Sequence, residues 1–302
     1  MARTRRGALG TPVVPPGPSV VDFHAHTTRS DGVMEPAALV AAAYAVGVRS
    51  FAITDHDNLA APRELAATPG AVPADLELLP GVEINTVTEG GWNAWRGELH
   101  LLGLGVDPAD DEFEALLAGQ RLHRRDRYAR TLSQLRAAGM PIDDAAAALP
   151  PDERAALGRP TVARLLVGKG YARSVDDAFA RLIGYGMPGY VPRDGIGPLP
   201  AIAAIRSAGG IAVLAHTADA ADRVIAIREL REAGLRGIEV HYRRYDAETV
   251  ISVAAVAMAL RLVPTGGTDY HGDRETYAEA HAEIWVPSAD AEAVAAALGT
   301  AR

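Results

Sequence analysis

Six of the nine histidines stand at or just past the end of a short apolar run, usually beside a carboxylate, and this pattern constrains the fold more than any other feature of the chain. Such runs are short enough for buried strands, and alanine-rich helical stretches separate them. That alternation is the signature of βα units feeding a parallel sheet or barrel. Candidate strands cover 20–24, 48–53, 76–84, 99–106, 211–215, 237–241, 262–266 and 283–286. Pro36 in the first turn of the first helix and Gly47 just past its end fit the helical reading between them.

The pattern changes over 113–189, where long helical stretches run without a convincing strand. The expected organisation is therefore a tail over 1–18, a barrel built from 19–112 and 190–302, and an inserted helical subdomain at 113–189. Between residues 119 and 189 there are 12 Lys and Arg against 7 Asp and Glu, so this stretch carries +5 within a chain of net charge −8. Arg121, Arg124, Arg125, Arg127 and Arg130 share one helical run, which is expected to present a solvated face. A net charge of −8 argues against a protein that coats nucleic acid over its whole surface. No apolar stretch is long enough to span a membrane and the start lacks a secretory signal, so the expected compartment is the cytoplasm. No stable protein partner is implied.

There is no cysteine, which removes disulfides, thiolate zinc sites and iron–sulfur clusters and leaves nitrogen and oxygen as the only ligands. The candidates fall into six places. VDFHAHTTRSDG sets His24 and His26 two residues apart on an extended segment, with Asp31 in the following loop. AITDHDN supplies His56, with Asp55 and Asp57 beside it to orient a ligand or cap a helix. LLPGVEINT supplies Glu83, GELHLLGLG His100, IAVLAHT His216, and VPTGGTDYHG Asp269 and His271. A parallel α/β fold brings strand ends to one face, so these nine groups can converge. Nine ligands exceed what one first-row ion offers, which argues for several ions. With three ions and three carboxylates the site would stay near about +3 and attract a phosphate dianion.

In this order the clusters resemble the PHP (polymerase and histidinol phosphatase) family over about 20–286. Shared with the branch of RNase AM-like 5′-to-3′ exoribonucleases and nucleoside 3′,5′-bisphosphate phosphatases are DFHAHTTRSDG, GRP at 158–160, GYVP at 189–192, LAH and GTDYHG. The resemblance implies a distorted (β/α)7 barrel with a helical insertion over its mouth and a trinuclear site of divalent ions, manganese before zinc or iron. It implies one ion on His24, His26, Glu83 and Asp269, a second on Glu83, His100 and His216, and a third on Asp31, His56 and His271. Glu83 and Asp269 would serve catalysis through a bridged water, and Arg159 would bind a substrate phosphate. His241, Arg243 and Arg244 of IEVHYRRY are further candidates for phosphate contact. The chain departs from the branch at Thr161, where GRPH is usual, and at Thr217, where LAHP is usual. The implied function is metal-dependent hydrolysis of nucleotide 3′,5′-bisphosphates or short 5′-phosphorylated RNA. The alternatives are a histidinol-phosphate-type phosphatase and a non-catalytic metal-binding accessory module.

Overall fold

A computed structural model of the chain describes residues 18–88, 95, 98–148 and 158–301. Most of the tail expected over 1–18, and residues 149–157 of the expected insertion, lie outside that set. Seven strands follow one another in a single sheet: β1 (Val21–Asp22), β2 (Ser50–Ile53), β3 (Glu77–Thr86), β4 (Leu99–Leu104), β5 (Ile211–Leu214), β6 (Gly237–Tyr242) and β7 (Val263–Gly267). The sheet curls until its first and last members meet. Just beyond β1 and β7, Ala25 bridges Tyr270, and the amide of Asp269 donates to the His24 carbonyl at 2.7 Å, so the barrel is nearly closed.

The strands read as continuous apolar runs because both of their faces are covered. On β4, Leu102 and Leu104 share an inner face with His100. They pack inside the barrel with Val21, Phe23, Ile211 and Val213. Leu99 and Leu101 point the other way, into a second cluster under the helix Pro198–Ser207. Val294 and Leu298 of the last helix, Ser288–Ala301, fill the interior at one end. The histidine and carboxylate groups occupy the other.

Two expectations need correction. The sheet is not wholly parallel, because β4 runs antiparallel to both β3 and β5. The candidate at 283–286 is not a strand: once β1 closes on β7 no edge remains for it to pair with. Its Ile284 and Val286 side chains are buried with the inner cluster, and the Val286 amide bonds the Ser19 hydroxyl at 3.1 Å.

Between β4 and β5 lies the long helix Asp111–Ala137, followed among the described residues by Asp143–Ala147, Arg159–Gly168, Val175–Ala178 and a π-turn at Phe179–Ile183. These pieces share an apolar cluster of their own, including Leu135, Ile142, Val162, Leu166 and Ile183. Asp110 caps the long helix by accepting from the Phe113 amide at 2.9 Å. Among the described residues no helix is long and apolar enough to cross a membrane.

Candidate metal centre and its cleft

Each ligand candidate reaches the barrel mouth for a local reason. Beyond β1 the chain stays extended, so His24 and His26 fall on the same side. The loop after them is held by Asp55, whose carboxylate accepts from the Thr27 amide at 2.7 Å, the Thr27 hydroxyl at 2.6 Å and the Ser30 hydroxyl at 2.6 Å. Gly32 closes this turn, since a Cβ there would lie 2.2 Å from the His26 carbonyl oxygen. That turn delivers Asp31. His56 pairs with Glu83 across a parallel bridge. His100 is only the second residue of β4, and it arrives at the same mouth because that strand is reversed. His216 and Asp269 adopt left-handed backbone, at φ 29° and 50°. Such conformations are costly for residues with a side chain and cluster where a site demands them.

The nine groups come together in three sets whose ligand atoms lie within 4.8 Å of one another: His24, His26, Glu83 and Asp269; Glu83, His100 and His216; His26, Asp31, His56 and His271. Glu83 joins the first two sets. One of its oxygens lies 2.8 Å from His100 Nδ1 and 3.1 Å from His216 Nε2; the other lies 3.0 Å from His56 Nδ1 and 3.3 Å from His26 Nε2. Asp269 Oδ1 is 3.3 Å from His24 Nε2, His26 Nε2 and His271 Nδ1 alike. Burial opposes charge on Glu83, yet the imidazoles of His56, His100 and His24 hold its carboxyl well below the usual range. Asp31 and Asp269 are depressed in the same way, by His56 and His271 and by His24 and His271 respectively. Against the pull of burial, Glu83 lifts His100 to about 9, while Asp31 and Asp269 lift His271 to about 10.

These residues fit a set of cations. His24 Nε2, His26 Nε2 and His56 Nδ1 are buried without a hydrogen-bond partner although carboxylate oxygens stand 3.0–3.5 Å away. Buried polar atoms are rarely left so unless an ion or water completes them. Nitrogen and carboxylate oxygen together suit divalent first-row ions.

Support for the ligands comes from residues that the sequence did not single out. Glu239 is fully buried, with one oxygen 3.0 Å from His24 Nδ1 and the other accepting from the His216 amide at 2.8 Å. Tyr242 donates to Asp269 Oδ2 at 2.8 Å. Asp55 and Asp57 do not orient a ligand imidazole, and neither caps the helix Ala60–Ala67. Asp57 instead takes a 2.8 Å bond from Arg124.

Beside this cluster opens a cleft lined by Asp31, His56 and His100 together with Arg124, Arg127, Arg159 and Arg193. The run at 121–130 is therefore not simply a solvated face: of its five arginines Arg124 and Arg127 line the cleft, Arg121 is half-buried, and Arg125 and Arg130 are exposed. Glu98 lies between Arg127 Nη1 at 3.0 Å and Arg159 Nη2 at 2.6 Å. Arg193 is held by burial and by the nearby Arg124 charge at about 10, and its Nε is buried without a partner. Thr161 is buried, takes a 3.4 Å bond from Arg164 and is not among the cleft-lining residues; the Thr217 hydroxyl donates to the Ala215 carbonyl at 2.9 Å.

His241 and Arg243 do not join the site. His241 Nε2 lies 3.3 Å from Asp290 of the last helix. Arg243 is buried, bonding the Thr268 carbonyl at 2.7 Å, Asp273 at 2.7 Å and Glu283 at 3.3 Å, and Arg244 also pairs with Asp273. The cause is an irregularity in the β6–β7 register between Glu239 and His241. One added residue reverses which side chains face inward, so Glu239 and Tyr242 point to the cluster and His241 does not.

Comparison with known proteins agrees with this architecture. A PHP domain model matches residues 22–137. The chain is 33% identical over 282 residues to the 5′-3′ exoribonuclease Rnm of Escherichia coli (strain K12), covering 89% of this chain and 90% of that one. It is 30% identical over 259 residues to the 3′,5′-nucleoside bisphosphate phosphatase of Chromobacterium violaceum, covering 84% and 88%. A solved structure from Bifidobacterium adolescentis, described as a metal-dependent phosphoesterase, superposes with a TM-score of 0.76 at 29% identity, covering 94% of this chain and 97% of that one. Similarity of that extent, carried through a barrel whose mouth gathers six imidazoles and three carboxylates, places the chain in the PHP family as a metal-dependent phosphoesterase.

Proposed function

We propose that the protein hydrolyses a phosphate ester separated from a second phosphate by a single nucleoside, in a nucleoside 3′,5′-bisphosphate or at the 5′ end of a short phosphorylated RNA. The observation that carries this reading is the cleft itself, lined by candidate ligand groups and four guanidiniums together. His24, His26, Glu83 and Asp269 would hold one cation, Glu83, His100 and His216 a second, and Asp31, His56 and His271 a third, with manganese favoured over zinc or iron. Cations bound there supply Lewis-acid chemistry, lowering the pKa of water and offsetting phosphoryl charge. Glu83 and Asp269 keep their carboxylates ionised for that purpose. Glu239 fixes the ring of His24, and Tyr242 fixes the outer oxygen of Asp269.

Arg159, Arg127, Arg124 and Arg193 would receive the phosphate that is not cleaved. Guanidiniums suit this task because their planar forks match phosphate oxygens. Glu98 presently takes the position between two of them and spaces them for an anion. Histidinol phosphate, which carries an ammonium and no second phosphate, offers these guanidiniums less. The test is elemental analysis of the purified protein, then phosphate release from adenosine 3′,5′-bisphosphate and nucleotide release from 5′-phosphorylated oligoribonucleotides with manganese supplied. Turnover of one or both is expected. Turnover of neither would overturn the nucleotide reading and point the phosphoesterase to another phosphate ester. Glu83→Gln should lower kcat by at least about 10³-fold, the loss of several kcal/mol of charge stabilisation, while circular dichroism stays unchanged.

A further inference from the structure

Tyr185 is 75% exposed and is the only exposed aromatic side chain among the described residues. Its ring lies 5.2 Å from that of Tyr190 at an interplanar angle of 61°. Neither position is loose. The Gly184 amide bonds the Phe179 carbonyl at 2.9 Å, the Met187 amide bonds Gly184, the Tyr190 amide bonds Met187, and Gln134 bonds the Pro188 carbonyl at 2.8 Å. A lone exposed ring is ordinary; what singles this one out is that a second tyrosine packs edge-on against it on an ordered turn next to a cationic cleft.

The same turn adjoins the arginine cleft. It follows the π-turn Phe179–Ile183, whose first residue, Phe179, lines the cleft with the Arg159 guanidinium 5.3 Å over its ring. It ends where Val191 accepts from Arg127 at 2.9 Å, two residues before Arg193. The Tyr190 phenol is near enough to act on the Arg127 charge. A cationic cleft with an exposed aromatic ring on a neighbouring turn, here Tyr185 backed by the half-buried Tyr190, is an arrangement by which proteins hold single-stranded nucleic acid, because every base offers a π-face whatever its sequence.

We propose that Tyr185 and Tyr190 form a stacking platform for the bases that follow the first nucleotide of a 5′-phosphorylated RNA strand. The platform rests on the phosphoesterase reading of the cleft and adds to it that the physiological substrate is an oligonucleotide, since a mononucleotide has no second base to stack.

The test compares manganese-loaded wild type with Tyr185→Ala, Tyr185→Trp and Tyr190→Ala on adenosine 3′,5′-bisphosphate and on 5′-phosphorylated oligoadenylates of two to five residues. Base stacking on an aromatic side chain, judged by alanine substitution, corresponds to about 5- to 150-fold in affinity. Tyr185→Ala is therefore expected to lower the ratio of kcat/KM on the oligonucleotides to that on the bisphosphate by at least about fivefold, and Tyr185→Trp to restore it. The same variants are expected to weaken binding of a fluorescent 5′-phosphorylated oligoadenylate to metal-free protein, measured by anisotropy. An unchanged ratio and unchanged binding would overturn the platform. If wild type turns over the bisphosphate but no oligonucleotide, the platform falls while the phosphoesterase reading stands.

Discussion

Glu239 is the residue on which two of the three ligand sets depend at once, because it touches the ring of His24 and the backbone of His216. Outer partners of metal ligands typically cost 10- to 100-fold in metal affinity or activity when removed. Glu239→Gln is therefore expected to weaken metal binding by about that range, with ion content after dialysis as the check; full retention of metal would refute the role. A second expectation concerns protons. In the metal-free protein His100 and His271, lifted to about 9 and about 10, are charged at neutral pH. Their ion pairs stabilise the empty fold fully below an unfolded histidine pKa of about 6.5, and that contribution is lost as pH rises through 9 to 10. A cation must displace the same protons, so its affinity should rise by about tenfold per pH unit for each proton released, up to that range. Calorimetry in buffers of different ionisation heat at pH 7 would count the protons, and a count of zero would contradict the assignment. Seven of the nine ligand candidates stand at the ends of apolar runs; Asp31, in a loop, and His100, at the start of its strand, stood out only through the motifs around them. Glu239 was not legible, because it sits inside such a run, and only the shifted register turns it inward in place of His241.

At the level of elements, the alternation of apolar and helical runs revealed seven strands and the helical stretch between β4 and β5. It could not reveal the direction of β4, since a buried strand reads the same either way. Nor could it show that the cleft-facing arginines lie on the buried side of the helix Asp111–Ala137, because long side chains cover apolar surface while keeping their charge. The seam between β1 and β7 is tight. A Cβ on Gly267 would stand 2.3 Å from the His24 Cβ and 2.5 Å from its amide nitrogen. Gly267→Ala should therefore destabilise the protein by about 1–3 kcal/mol or more and reduce metal content, because the strand it displaces carries His24. Urea unfolding alongside elemental analysis checks both, and a variant with unaltered midpoint and full metal would show that the seam yields.

Across the whole molecule, charge is unevenly spread: residues 119–189 carry +5 and the remainder −13. A strand of RNA should thus be held near the cleft and repelled beyond it. Two bound phosphates imply a slope of about −1.4 for log kcat/KM against log salt, at about 0.7 per phosphate on a single strand. Lengthening the substrate from three to ten residues should leave that slope unchanged, and a steeper slope for the longer strand would reveal a basic track elsewhere. Every candidate ligand comes from the barrel, whereas Arg124, Arg127 and Arg159 come from the helices between β4 and β5. On the proposed function, cutting and reading would have separate hardware. Drift in those helices can retune which molecule is accepted without touching the chemistry that severs it, so divergent diets among proteins of this shape require no change of mechanism.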